Sequence, residues 1–438
     1  MSYDAISPID GRYRVEAEAL SRYFSDRALA SERVRVEVAY LRLLMKLGVA
    51  PRKRIPPVDI DMQELKKLEE DLGHDVKAVE IYLRKRLGRS KAKGLVPYVH
   101  LGLTSEDTNS LAFALLLKSA KDRVLVPAYA GLATQLAEIA AREADTPMTA
   151  RTHGRPAVPT TFGKEMAVFA VRLAERARYL RGLVPQAKFS GAVGTYASFG
   201  LLAKIDWPRE LSAFVSGLGV ESAGYSTQVV PGERLSDILH AVINLNQLMV
   251  SLSRDLWFYQ TLDFVHFQRP GRVSSSTMPQ KVNPVDLENA EGQAEVSNSL
   301  LLMQAYRLQY TRMQRDLSDS AIRRTIGQAL AHSLVASSRL RVSLLAMRVE
   351  RQVLHDDFER HPEIFAEREQ ILRRLSGDEL GYEKVKSAME TGVFVPPIPP
   401  DRYLGRAAEL AAHCPGAVRE LLRSPPGSRG GSPRRSRQ

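Results

Sequence analysis

PGERLSDILHAVINLNQLMVSLSRDLWFYQTLD, residues 231–263, is the stretch that decides the fold. Its apolar positions Leu235, Ile238, Leu239, Val242, Leu245, Leu248, Met249, Leu252 and Leu256 recur at spacings of three and four, the period of one helix face. Pro231 suits a first helical turn, where its missing N–H costs nothing. Glu233 and Asp237 sit where the helix dipole favours anions. Val242, Leu245, Leu248 and Met249 also spread beyond a narrow stripe, so one contact layer would leave apolar surface uncovered. Packing into a bundle buries such a face, and self-association covers the remainder.

The same period returns three times elsewhere in the chain. From Ser110 to Glu143 it runs through Leu111, Leu115, Leu116, Val124, Leu125, Leu132, Leu136 and Ile139, with Asn109 or Ser110 as the expected cap. A third helix is expected from Pro284 to near Met313, and a fourth from about Asp319 to Arg348. Segments of this length are about two to three times the average helix. Strand signals are sparse: Gly191 to Gly200 shows no sustained alternation. No strand–helix alternation and no glycine-rich phosphate loop is present. The expected class is all-α, with three helical domains. They are an N-terminal domain at 1–100, a central long-helix bundle at 101–345 that assembles with other subunits, and a C-terminal domain at 346–423. A disordered basic tail follows at 424–438. The basic, Gly- and Pro-broken stretch Gly88 to Pro97 marks the first boundary.

At 438 residues the chain exceeds one ordinary core. Its 44% apolar content is that of a soluble globular protein. The one cysteine, Cys414, forms no intrachain disulfide, which fits a reducing compartment. Asp4, Asp10 and Arg12 interrupt any signal peptide, and apolar runs such as Leu111 to Leu117 fall short of the ~20 residues that cross a bilayer. A cytoplasmic protein with no membrane partner is expected. The net charge of +12 is partly local, because Arg429, Arg434, Arg435 and Arg437 lie in the Pro/Gly/Ser-rich tail. The basic body suits nucleic acid or small polyanions. No nucleic-acid-binding motif accompanies it, so the expectation is no nucleic acid.

Three segments carry candidate chemistry. GRVSSSTMPQKVN, residues 271–283, is a polar joint between two long helices, a place for a group that closes over a substrate. By composition alone a solvated linker is the plainer account. TARTHGRPAVP, residues 149–159, sets His153 between Arg151 and Arg155, offering a proton carrier beside cations that suit carboxylate or phosphate. An incidental loop histidine is its bland alternative. VHLGLTSEDTN, residues 99–109, puts hydroxyls and free N–H groups at a helix start, where an anion is welcome, although an N-cap at Thr104 or Ser105, supported by Asp107 and Thr108, is the commoner use of such residues.

Together these residues carry a resemblance. SSSTMPQKVNP at 274–284, TSED at 104–107 and THGRPA at 152–157 resemble, in order and spacing, the three signature regions of the fumarase/aspartase superfamily. SPIDGRY at 7–13, HDVKAVE at 74–80, STQ at 226–228 and QRDLSDSAIRR at 314–324 are similar to the substrate-contacting segments of the adenylosuccinate lyase family. One departure is Gly73, where that family usually has a larger polar or basic residue.

The resemblance implies a cofactor-free carbon–nitrogen lyase of purine biosynthesis. It would eliminate fumarate from adenylosuccinate, giving AMP, and from the succinyl-aminoimidazole carboxamide ribotide (SAICAR), giving AICAR. It further implies Ser275 as the base, Lys281 as the cation that favours its alkoxide, His153 as the general acid and Glu288 as the carboxylate orienting a catalytic histidine. Arg12, Tyr13, Arg315, Ser320 and Arg324 would hold phosphate and ribose. Thr104, Ser105, Ser276 and Asn283 would hold the succinyl carboxylates, with His74, Asp75, Gln228 and Asn289 completing the set. No metal is implied. A homotetramer whose active sites combine motifs from three chains is. Argininosuccinate lyase or another lyase of the superfamily, or a non-catalytic structural relative, are the alternatives; the intact Ser275, Lys281, Asn283 and His153 argue against the last.

Overall fold

The computed structural model describes residues 4–268, 277–278, 280–392, 397–399 and 401–425. Helix makes up 65% of it, as the periodicity requires. In chain order the helices begin with α1 (Arg14–Phe24), α2 (Asp26–Lys46), α3 (Met62–Leu72), α4 (Asp75–Gly88), α5 (Ser105–Ala120), α6 (Val126–Arg142), α7 (Phe162–Gly182), α8 (Ala197–Gly200) and α9 (Trp207–Gly217). They continue with α10 (Glu233–Thr261), α11 (Val285–Arg307), α12 (Ser318–Arg323), α13 (Ile326–Ala346), α14 (Arg351–Arg360), α15 (Ala366–Leu375), α16 (Gly381–Glu390) and α17 (Ala407–Arg423).

Local chemistry sets several of these boundaries. Asp61 accepts from the N–H groups of Gln63 and Glu64 and starts α3. Gly73, at φ +62°, ends it in the left-handed conformation that glycine adopts without strain. That is the physical account of the departure from the family pattern: the position serves as a helix stop, and His74 caps α4 immediately after. The first long helix begins at Ser105, ahead of the Asn109 or Ser110 cap expected from the apolar period. Thr104 is the N-cap, and its N–H donates to the Asp107 carboxylate at 2.8 Å. The helix runs to Arg142 through a π turn at Lys121–Leu125.

The second long helix starts at Glu233, with Pro231 just outside it, and the third stops at Arg307, short of Met313. The expected fourth is broken into α12 and α13. Gly327, at the start of α13, lies so close to Phe24 that an added Cβ would approach its Cβ to 2.4 Å.

Among the described residues, six short strands that the sequence did not announce form three two-stranded sheets. β1 (Pro147–Thr152) and β2 (Arg155–Thr161) make an antiparallel hairpin, β3 (Gln186–Ala187) and β4 (Glu221–Ser222) a parallel pair, and β5 (Val265–Phe267) and β6 (Met347–Val349) an antiparallel pair.

Two compact units result. One comprises Met1–Pro127, Leu180–Asn244 and Val296–Val335, the other Ala128–Tyr179, Leu245–Glu295 and Ala336–Gln438. In the first, Tyr40 is fully buried against the rings of Phe189, Phe199 and Phe214, and its hydroxyl donates to the Leu101 carbonyl at 2.8 Å. Each such side chain contributes roughly 1.5–3 kcal/mol by leaving water. In the second, Phe358, Ile364 and Phe365 form a small core, with Tyr403 packed against it. Cys414 is buried there with its Sγ 3.9 Å from the Ala167 carbonyl, and burial pushes its thiol up to about 11. Ser105–Arg142 is long and apolar enough, by length and composition, to cross a membrane, but half of its most apolar window is buried inside the fold.

Candidate active site

In the first unit the site begins at the TSED turn. Asp107 is fully buried, and its carboxylate accepts from the backbone N–H groups of Thr104 (2.8 Å), Ser190 (2.9 Å) and Gly191 (3.2 Å). Lys188, equally buried, pairs with it at 3.0 Å and donates to the Gly191 carbonyl. The hydroxyl of Ser190 meets that of Ser226 at 2.9 Å, so one ion pair ties the Thr104–Ser105 turn to the head of the STQ segment. His74 caps α4 by accepting the Lys77 N–H on Nδ1, leaving Nε2 facing the Ser105 hydroxyl at 3.4 Å.

Beside this turn lies a cavity of about 150 Å³ lined by Arg33, Glu106, Arg315, Ser320, Arg323 and Arg324, among others. The buried Glu106 bridges Arg315 (3.2 Å) and Arg323 (3.1 Å). Asp75 bridges Arg33 (2.7 Å) and Arg324 (2.9 Å). Burial alone would lift the Asp75 carboxyl, but the Arg33 guanidinium, with Arg324 behind it, holds it below the usual carboxylate range. Each guanidinium has five donors in a fixed fork, so two carboxylates orient four arginines without exhausting them. The Nε–H groups of Arg315 and Arg323 are buried without an acceptor among the described residues. Such an array suits a compact dianion. A neighbouring cavity lined by Ser226, Thr227 and Thr311 shares Asp319 and Arg323 with it.

In the second unit His153 and Gly154 form the two-residue turn of the β1–β2 hairpin, at φ +53° and +74°. Positive φ at both positions is the mirror-image turn that matches strand twist. It leaves the imidazole on an exposed tip. Glu288 lies in the first turn of α11 and accepts from the Trp257 indole at 3.3 Å. Lys281 is exposed, its N–H donating to the Met278 carbonyl, and Asn283 and Asn289 are half-buried.

A family model described as Lyase matches residues 11–296, and one described as Adenylosuccinate lyase C-terminal matches residues 311–393. Curated adenylosuccinate lyases of Legionella pneumophila (strain Corby) and Escherichia coli (strain K12) are each 35% identical to this chain, over 402 and 406 residues. The alignments span 87% and 88% of it and 88% of each relative. The chain belongs to the adenylosuccinate lyase family. Its fold is that of more distant enzymes too. The 3-carboxy-cis,cis-muconate lactonizing enzyme from Pseudomonas putida superposes with a TM-score of 0.75 at 21% identity, covering 92% of this chain and 97% of that one. A fumarate lyase from Mesorhizobium sp. BNC1 gives 0.73 at 19%, covering 91% and 97%.

Among the residues that resemblance to this family singled out, Arg315, Ser320 and Arg324 line one cavity. Asp75 pairs with Arg324, and His74 meets Ser105. Arg12 lies exposed with its guanidinium 6.0 Å from the ring of Tyr13, and neither lines that cavity. Gln228 is half-buried beside the second cavity. Among the described residues no hydrogen bond or ion pair joins His153 to Glu288. Ser275 and Ser276 lie outside the described residues. Sequence reading missed Arg33, Glu106, Arg323 and Lys188. Arg323 stands beside Arg324, and Glu106 lies inside TSED, so both were within reach. Lys188 offered no local signal.

Proposed function

We propose that the enzyme eliminates fumarate from adenylosuccinate to give AMP and from SAICAR to give AICAR, as a cytoplasmic homotetramer with shared active sites. The observation that carries the reading is the arginine-lined cavity of the first unit in a chain of this family. A nucleotide phosphate fits its unused donors. On this reading Arg315, Ser320 and Arg324 hold phosphate, with Arg12 and Tyr13 closing on the nucleotide. Thr104, Ser105, Ser276 and Asn283 hold the succinyl carboxylates, and His74, Asp75, Gln228 and Asn289 complete the pocket. The division at residues 100, 345 and 423 frames the same arrangement, with the tail outside it.

The chemistry breaks a carbon–nitrogen bond β to a carboxylate. Ser275 removes the proton from the adjacent carbon, and Lys281 favours the alkoxide it must become. The dianionic carboxylate that develops needs donors already in place. His153 protonates the leaving nitrogen, held in orientation by a Glu288 carboxylate. Sharing between subunits is supported by the exposed tip that bears His153 and by α11. On that helix Val296, Met303 and Tyr306 stand exposed at spacings of seven and three, a heptad-like row that a second helix would cover.

The test is turnover of adenylosuccinate and SAICAR followed by absorbance, with argininosuccinate as control. Loss of both purine substrates at enzyme-dependent rates is expected. Turnover of neither overturns the reading, and turnover of argininosuccinate alone replaces it.

A further inference from the structure

The hairpin that carries His153 is gripped at two levels by one helix. At its root, Phe162 N–H donates to Thr146 and Gly163 N–H to Glu143. Packing there is so close that a Cβ on Gly163 would approach the Ala140 and Glu143 carbonyl oxygens to 2.4 and 2.6 Å. The nearly buried Glu143 accepts two bonds from Arg351, the first residue of α14, at 2.9 and 3.0 Å. Its charge and hydrogen bonds hold the carboxyl below its usual range against the upward pull of burial.

Nearer the tip, Arg151 extends from β1, two residues before the turn. Its guanidinium donates to Asp357 on α14 at 2.7 Å and lies 5.2 Å from the ring centroid of Phe264. Both side chains of this ion pair are mostly buried, at 20% and 13% exposure. The second oxygen of Asp357 is buried and accepts no hydrogen bond among the described residues. His361 faces the first oxygen only at 3.6 Å. Arg151 is therefore the chief partner of that carboxylate.

β1 needs this support. Its pairing with β2 shifts register between Thr149 and Arg151, where the ladder is weakened. Pro156 and Pro159 remove two donors from β2. His153 itself sits at φ +53°, a conformation that a non-glycine residue holds only when its surroundings over-determine it.

We propose that Asp357 is a positioning residue of the reaction: through Arg151 it fixes the hairpin so that the His153 imidazole is presented in one place. This rests on His153 being the acid. Without the pair, β1 loses its anchor past the bulge, and the turn relaxes away from the left-handed geometry that aims the ring. The substrate-holding groups of the first unit are untouched.

The test compares Asp357→Ala, Asp357→Asn, Arg151→Met and the Asp357→Ala/Arg151→Met double variant, with His153→Ala in parallel. Each is assayed for kcat, KM and melting temperature. Asp357→Ala and Arg151→Met are each expected to lower kcat by about tenfold to a hundredfold, since a misplacement of ~1 Å can cost up to about a hundredfold. KM should change by less than about threefold. The double variant should be no worse than the poorer single, because the two residues act as one unit. Asp357→Asn keeps an oxygen that accepts from Arg151 and should retain most of kcat; with Arg151→Met it carries the test if the alanine variant does not fold. Wild-type kcat in Asp357→Ala, multiplying losses in the double variant, or equal damage in Asn and Ala overturns the proposal. His153→Ala separates the two claims. Wild-type turnover there overturns the acid assignment, whereas a dead His153→Ala beside a fully active Asp357→Ala overturns only the positioning role.

Discussion

The TSED turn and the His153 turn carry neighbouring parts of one proposed chemistry in opposite physical settings. The first is locked from below: Asp107 and Lys188 are fully buried, and one carboxylate accepts three backbone N–H groups and a lysine. The second sits on an exposed hairpin tip, with the Arg151–Asp357 ion pair behind it and the Arg351–Glu143 pair at its root. A group that holds a substrate gains from rigidity built into its own unit. On the proposed reading, in which another subunit completes the site, a group that delivers a proton gains from an exposed position. The first setting ties function to stability, and the second separates them.

The hardest test of that contrast is also the largest effect. His153→Ala and Ser275→Ala are each expected to cut turnover by a factor of about a hundred or more while leaving circular dichroism and melting unchanged. Mixed under subunit-exchanging conditions, the two inactive proteins should regain activity, because some sites then combine both intact residues. A monomer by light scattering, or no recovery despite proven exchange, breaks the shared-site half of the comparison.

Lys188→Met probes the locked turn. It leaves the Asp107 charge buried with no cation, at a cost of about 3–5 kcal/mol, so chemical denaturation should show a large loss of stability. Undiminished stability with lowered activity would reverse the proposed division.

A smaller effect concerns pH. Burial pulls the His100 imidazole down, but its 2.6 Å hydrogen bond to Glu37, the charge of that carboxylate and those of Glu80 and Asp107 hold it above the ordinary histidine value. A raised folded-state value means stability that is fully present below the unfolded value and lost as pH rises through the folded one. Wild-type stability should therefore fall from mildly acid to mildly alkaline pH by more than that of His100→Gln. Parallel curves would remove His100 from the account. The smallest expected effect is that of deleting residues 424–438, which should leave turnover and melting nearly unchanged.

Much of this was legible in the chain. Long helices announce themselves because one apolar face repeats over many turns, and α10 was found to within a few residues at each end. The apolar period placed the start of α5 too late because it begins after the cap, whereas the TSED segment, read as an N-cap at Thr104 or Ser105 supported by Asp107, marked it: Thr104 and Asp107 do the capping. The break between α12 and α13 was invisible, since the turn at Arg324 and Thr325 holds neither glycine nor proline. The hairpin escaped because Pro156 and Pro159 argue against strands and the bulge at Thr149–Arg151 spoils the alternation. The candidate site residues in motifs were named through resemblance. The charges that hold them, Lys188 under Asp107 and Asp357 behind Arg151, are long-range partners with no local signature.

The burial of Cys414 makes it a built-in clock. Its Sγ lies against Ala167, and α17, on which it sits, packs against β2 of the hairpin. A thiol raised to about 11 is almost wholly protonated at neutral pH, so a thiolate-seeking reagent waits for the helix to open. Where reclosing outpaces reaction, the labelling rate counts the fraction of time α17 spends undocked. Because no other cysteine competes, the signal is single-exponential and can be followed in the native enzyme with substrate present or absent. Slower labelling with substrate bound would report, from a sulfur that touches no reactant, that occupancy of the active site tightens the layer beneath the hairpin.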